Sequence, residues 1–305
     1  MIVVVGESLV DVVADPHHPP NDRETVGGSP LNVATTLAGL DVPTMLITEV
    51  GHDDRGRRIV ERVEASGAEL IAAPTASGRT ATATVLLDRG EATYDFDIGW
   101  TLPHQELPQC DALHVGSLGT VLEPGRDSVL DLVEQAWGRD VFVSYDPNVR
   151  APLVADPDQA WRDVEALAGR AHLVKLSDQD VAVLHPGAEP EDIARSLLDG
   201  ERTELVLLTR GSQGAVGFVR DLVVRVPAAP VQVVDTVGAG DAFMAATLAV
   251  LLEGSAFGSY GAGVPADAER LEVLLRAAVE VAGITCSRPG AAAPTRPELR
   301  PDWPS

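Results

Sequence analysis

Lysine is almost missing from this chain. Among 305 residues it occurs once, at Lys175, and arginine supplies the other cations. Cysteine occurs only at Cys110 and Cys286, which gives no disulfide framework and no metal-ligand spacing, so a reducing cytoplasm is the expected compartment. Aromatic residues make up 4% of the chain, which leaves little for stacking a nucleobase. No run approaches the roughly 18 apolar residues that a membrane span needs. The apolar start has no basic flank and soon meets Glu7 and Asp11, so it reads as a buried strand and not as a signal peptide. Neither a membrane nor a nucleic acid is therefore expected as a partner. The net charge of −23 lacks the clustered cations that phosphate backbones require. It fits a solvated acidic surface or adaptation to high salt.

A hydrophobic content of 45% over this length suffices for one large α/β core or two small ones. No repeat of about 20–50 residues interrupts it. Short β-branched runs at Ile2–Val5, Thr44–Glu49, Ala112–Val115, Val141–Tyr145, Leu173–Lys175 and Leu205–Thr209 read as strands. Between most of them lie amphipathic stretches, Pro30–Leu40, Asp53–Ser66, Arg126–Trp137, Pro157–Ala168 and Glu191–Leu198, which read as helices. That alternation predicts βαβ units, hence a doubly wound, mostly parallel sheet flanked by helices. Ser29 is expected to cap the first helix, with Pro30 in its first position, and Gly39 and Gly67 are expected at helix ends. Thr80–Asp88 and Ala92–Asp97 alternate around Arg89-Gly90 as a hairpin would. With Val10–Ala14 and Glu24–Val26 they predict a small projecting sheet within residues 10–26 and 80–97, a candidate lid or homodimer surface.

The most specific motif is Asp235-Thr236-Val237-Gly238-Ala239-Gly240-Asp241-Ala242-Phe243. It follows the apolar run Val231–Val234 and opens a helix expected over Ala242–Leu252. Gly238 and Gly240 allow a tight turn and close backbone approach. Unpaired amides and the macrodipole at a helix start make an anion site fit for a phosphoryl group. Asp241, beside that site, is placed to accept a proton from a hydroxyl nucleophile. A second motif, Gly27-Gly28-Ser29-Pro30-Leu31-Asn32-Val33-Ala34, lets backbone pass close to a small polar ligand and sets Asn32 on the first helical turn.

Both strings resemble the signatures of the ribokinase-like (PfkB) carbohydrate kinases, in family order. The resemblance implies a single kinase domain over residues 1–305 with a small β-sheet lid. It implies transfer of the γ-phosphoryl of ATP to a primary hydroxyl of a small sugar, with magnesium and with potassium as a further ion. It also implies roles for residues: Asp241 as base, Gly238, Ala239 and Gly240 as anion hole, and Asp11, Gly27, Gly28 and Asn32 on the sugar. Asp146-Pro147-Asn148-Val149-Arg150 looks like the D-x-N-x-R turn of fructokinase and keto-deoxygluconate kinase branches, so Asn148 and Arg150 join the sugar side. Thr209-Arg210-Gly211-Ser212-Gln213-Gly214 resembles the nucleotide loop, with Thr209, Gly211 and Gly214 at the nucleotide. Cys286-Ser287-Arg288-Pro289-Gly290-Ala291 resembles the adenine cover, with Ser287 at the cofactor. The resemblance makes Asp235 and Val237 ligands of the monovalent cation. At Lys175-Leu176-Ser177-Asp178-Gln179-Asp180 the chain departs from the family's Asn-x-x-Glu. Ser177 and Asp180 take those places near nucleotide and magnesium, Lys175 stands beside them on the nucleotide side, and the carboxylate is one methylene shorter.

Neither G-x-x-x-x-G-K-[ST] nor G-x-G-x-x-G after the first strand occurs, which argues against a P-loop NTPase and a nicotinamide dehydrogenase. Fructose is the first expected sugar, ahead of 2-keto-3-deoxygluconate and ribose, with the Asp146–Arg150 turn, the hairpin and Arg79 choosing among them. A nucleoside kinase would draw on Tyr94, Phe96 and Trp100. A sugar-binding protein without catalysis would lack the complete Asp241 turn.

Overall fold

The computed structural model describes residues 1–14, 23–88, 91–254, 264–265 and 267–304. β1 (Ile2–Val5) is buried along its whole length and takes parallel partners on both sides, β4 (Thr44–Val50) and β8 (Ala112–Gly116). The sheet runs outward from there. β5 (Glu69–Pro74) lies beyond β4, while β9 (Phe142–Asp146), β10 (Leu173–Ser177) and β11 (Leu205–Thr209) follow β8, all parallel. β12 (Ala215–Val219) and β13 (Leu222–Val226) close the nine-stranded sheet as an antiparallel edge.

Alternate residues of each strand point to opposite faces, and each face has its own core. Ile2, Val4, Leu46, Leu173 and Leu207 pack with α1 (Ser29–Gly39), α7 (Ala239–Glu253) and α8 (Ala268–Cys286). Val3, Val5, Leu113, Val174 and Leu208 pack with α3 (Gly125–Gly138) and α4 (Pro157–Ala168). α2 (Asp54–Ser66) is capped by Asp53, whose Oδ1 accepts from the Gly56 amide at 2.8 Å, and it ends at Gly67 in the left-handed region. The last parallel crossover, from β10 to β11, carries two short helices, α5 (Asp178–Leu184) and α6 (Pro190–Ser196).

The projecting sheet is present, with β2 (Leu9–Ala14), β3 (Arg23–Gly27), β6 (Thr82–Asp88) and β7 (Glu91–Asp97) in the order β3-β2-β6-β7. Arg89-Gly90, the expected hairpin turn, lies outside the described residues.

Two expectations are corrected. Gly28 caps α1 and Ser29 is its first residue, because the Ser29 hydroxyl is drawn away to a distant carboxylate. Residues 231–234, the apolar run before the glycine turn, form no strand. They lie outside both sheets, and the described backbone bond there runs from the Val234 amide to the Cys286 carbonyl. The helix after them starts three residues earlier than expected, at Ala239. Among the described residues no helix is long and apolar enough to cross a membrane.

Candidate active site

Chain order reverses between β1 and β8, so their carboxyl ends open a crevice where α/β sheets bind ligands. α7 points its N-terminus into this crevice. Its cap, Gly238, has φ +75°, a conformation costly for any residue with a Cβ, and an added Cβ there would lie 2.4 Å from the Ala291 Cβ. The Ala239 amide turns back to the Thr236 carbonyl and the Ala242 amide to that of Gly238. The amides of Gly240 and Asp241 are thereby left for an incoming anion.

Asp241 is buried, and both of its carboxylate oxygens accept from α1. Ser29 Oγ donates to Oδ1 at 2.6 Å and Asn32 Nδ2 donates to Oδ2 at 2.8 Å. Residues three apart share a helix face, so one turn of α1 supplies both donors. Gly28 makes that turn possible: its φ is +108°, and a Cβ there would come within 2.6 Å of the Glu7 carbonyl. On the other side of Asn32, Arg62 Nη2 donates to Asn32 Oδ1 at 3.3 Å. The Asp11 carboxylate lies against Gly27, and burial raises its pKa, countered by Arg150 and Arg62 and reinforced by Asp241.

Beneath the glycine turn sits a buried ion pair. Lys175 Nζ donates to Asp146 Oδ2 at 2.5 Å, and a Cβ on Gly240 would lie 3.2 Å from the same Nζ. Burial pulls the Lys175 pKa down, but Asp146, Asp180 and Asp241 outweigh it and raise the lysine's pKa. Burial pushes Asp146 up to about 6 against the pull of Lys175. On the adjacent strand His114 is pushed down to about 3 by burial and by Lys175, so it stays neutral and pairs with Ser144 Oγ at 2.9 Å. Glu7, at the end of β1, is pushed up to about 7 by burial although the Gly119 amide donates to it at 2.9 Å.

Asp180 closes a capping box with Ser177 and accepts from the Val149 amide at 2.7 Å, which fixes the Asp146–Arg150 turn to the start of α5. Asn148 has φ +41° in that turn, and Arg150 beyond it is exposed. Asp235 accepts from the Val237 amide at 3.0 Å and the Gly290 amide at 2.9 Å, and these bonds lower its pKa.

The sequence-predicted residues therefore separate into two groups. Asp241, Gly238, Ala239, Gly240, Asn32, Gly27, Gly28, Asp11, Lys175, Ser177, Asp180, Asn148 and Arg150 gather around one crevice. Thr209, Gly211, Gly214, Ser287, Asp235 and Val237 share no described side-chain contact with that group, although Thr209 pairs with Ser177 across β10 and β11 and Val237 directly precedes Gly238. Thr209 Oγ1 donates to the Leu176 carbonyl, Gly214 turns β11 into β12 with φ +92°, and Ser287 Oγ donates to Ile284 in its own helix. Trp100 is core, donating to the Gly119 carbonyl, and offers no face for base stacking. Arg79 pairs with Asp97 of β7 at 2.7 Å.

Three residues join the cluster without having been singled out for it. By local pattern Ser29 reads as a cap and Asp146 as the first residue of its turn. Arg62 gives no local signal beyond lying between the buried positions Ile59 and Val63 of α2.

A doubly wound sheet with a glycine-turned helix N-terminus over its switch point defines a ribokinase-like α/β fold. The chain belongs to the pfkB family of carbohydrate kinases, whose family model matches residues 1–298. Family members are phosphotransferases with an alcohol group as acceptor. The chain is 30% identical over 267 residues to a fructokinase of Rhizobium leguminosarum bv. trifolii, covering 82% of this chain and 79% of that one. It is 33% identical over 263 residues to a fructokinase of Klebsiella pneumoniae, covering 82% and 84%. Among solved structures it is similar to a Xylella fastidiosa fructokinase with bound ATP, with a TM-score of 0.81, 26% identity and coverage of 97% and 96%. A Vibrio cholerae O395 fructokinase in its fructose, ADP and calcium ion bound form shares the fold, with a TM-score of 0.78, 24% identity and coverage of 95% and 94%.

Proposed function

We propose that this carbohydrate kinase is a fructokinase, moving the γ-phosphoryl of ATP to a primary hydroxyl of fructose with Asp241 as general base. The carrying observation is the carboxylate of Asp241, oriented through both oxygens by Ser29 and Asn32 beside two first-turn amides of α7. Fructose as the sugar is supported by the Rhizobium and Klebsiella relatives.

In this reading Asp11, Asn32, Asn148 and the Gly27–Gly28 backbone hold the sugar, and Asp241 takes the proton of the hydroxyl that attacks. The amides of Gly240 and Asp241 hold the transferring phosphoryl group, with the Lys175 charge directly beneath them. Alignment and preorganised charge of this kind make up most of what phosphoryl transfer asks of a protein. Magnesium, supplied with the nucleotide, would neutralise phosphate charge. Among the described residues no group of three or more His, Cys, Asp or Glu could hold a metal ion. Asp180 is buried and bonded through both oxygens, so the ion is expected on the nucleotide phosphates, with Asp180 ordering the turn beside it. Potassium fits Asp235, an anion whose two oxygens each take one described backbone donor. Thr209, Gly211, Gly214 and Ser287 form the nucleotide side, and the β2–β3–β6–β7 sheet serves as the lid.

An acidic sugar such as 2-keto-3-deoxygluconate is the second reading. It is favoured by the exposed Arg150, whose charge reaches Asp11 and Glu7 and whose planar fork suits a carboxylate. The test is ADP formation with fructose, 2-keto-3-deoxygluconate, ribose and adenosine. Fructose is expected to give the highest kcat/KM. A rival ahead by about 100-fold, roughly 2.7 kcal/mol of discrimination, overturns the fructose assignment. ADP formation with none of them overturns the kinase reading.

A further inference from the structure

Arg62 is the half-buried cation of the site that the proposed function leaves without a task. It reaches from α2 to three oxygens on three separate segments. Nη1 donates to the Val26 carbonyl of β3 at 2.8 Å, and Nη2 donates to Asn32 Oδ1 of α1 at 3.3 Å and to the Ala291 carbonyl at 3.2 Å. Its charge also acts on Asp11 and Asp241, the two carboxylates assigned to sugar and proton.

We propose that Arg62 is a positioning residue for phosphoryl transfer, fixing which way the Asn32 amide points and through it the geometry of Asp241. The argument rests on donor and acceptor counts. A guanidinium carries only donors and an ionised carboxylate only acceptors. An asparagine wedged between them has one favourable orientation, Oδ1 towards Arg62 and Nδ2 towards Asp241, which is the orientation observed. Without the guanidinium the amide can flip, turning its carbonyl towards the carboxylate and leaving Oδ2 without that donor. The same arginine holds Ala291, the residue against which Gly238 packs, so it fastens the glycine turn from outside.

This inference rests on the reading of Asp241 as base, and the test separates the two. Arg62→Met is expected to lower kcat on the order of 10- to 100-fold, the range for residues that orient a functional ligand, with the KM for ATP within about 2-fold. Arg62→Lys, which keeps a donor, is expected to recover activity to within about 5-fold of wild type. In an Asn32→Ala background Arg62→Met is expected to cost no more than about 2-fold further, because the residue it acts through is gone. A kcat for Arg62→Met within about 2-fold of wild type, or an equal loss in both backgrounds, overturns the proposal while the kinase reading stands. The second measurement needs no turnover. The Asn32 side-chain amide protons, assigned by their disappearance in Asn32→Ala, should move towards the positions of solvent-exposed amides in Arg62→Met. Unchanged positions overturn the proposal, whereas a wild-type protein that phosphorylates no sugar overturns only the reading of the site.

Discussion

Around Asp241, the charged side chains of Asp146, Lys175 and Asp180 are buried and partnered, whereas along residues 233–237 the valines stand in solvent. Val233 and Val234 each leave 60% of their surface exposed and Val237 49%, while Asp241 leaves 7%. The difference follows from what each region is built on. The transfer end rests on strand ends and on α1 and α7, whose apolar faces are already buried and whose positions folding fixes. The 231–237 segment lies outside both sheets, tied to the end of α8 through the Val234 and Asp235 amides on the Cys286 carbonyl. The transfer end is thus preorganised by the fold, and the nucleotide end, on the proposed function, completes its burial only when a ligand covers those valines.

If preorganised charge distinguishes the two ends, breaking the buried pair should do the most damage. Asp146→Asn leaves Lys175 buried without its contact partner, and such a loss costs about 3–5 kcal/mol. The denaturant midpoint is expected to fall accordingly, and an unchanged midpoint would show that Asp180 and Asp241 alone carry the lysine. Gly240→Val acts on the same pair from above. Its backbone is helical, so strain belongs to Gly238 and not to Gly240. The added side chain meets Lys175 Nζ instead. A folded variant with kcat lowered about 10²-fold is expected, and normal kinetics would confine the glycine to the turn.

The smallest effect concerns Glu7. Its folded-state pKa of about 7 lies above the ordinary 4.5. Its contribution to stability is therefore complete below pH 4.5 and is lost as pH rises through 7. Glu7→Gln keeps the acceptor for Gly119 and removes the charge, so it is expected to match wild type near pH 4.5 and exceed it by about 1–3 kcal/mol at pH 8. Parallel stability curves from pH 4.5 to 8 would contradict this.

The transfer end was far more legible in the sequence than the nucleotide end, for the same reason that it is better buried. Gly28 and Gly238 announce themselves because a positive φ beside a close neighbour admits little else. Asp241 announces itself because a carboxylate after a glycine turn on an apolar helix needs a purpose. Ile2–Val5, Leu205–Thr209 and Pro157–Ala168 carry period and composition that their burial explains. Ser29, Arg62 and the partner of Lys175 were hidden because their roles are contacts across 212, 30 and 29 residues, which no local pattern encodes.

The central claim is that Asp241 takes the proton of the attacking hydroxyl at a site folding has already assembled. Asp241→Asn preserves size and keeps a side chain that Ser29 and Asn32 can contact, but it removes the acceptor. Its single-turnover rate of phosphoryl transfer from ATP to fructose, measured beside its ATP affinity, tests this directly. The account predicts a rate lowered about 10²- to 10⁴-fold with ATP affinity within about 3-fold of wild type. A variant that transfers phosphate at near the wild-type rate at neutral pH would contradict it.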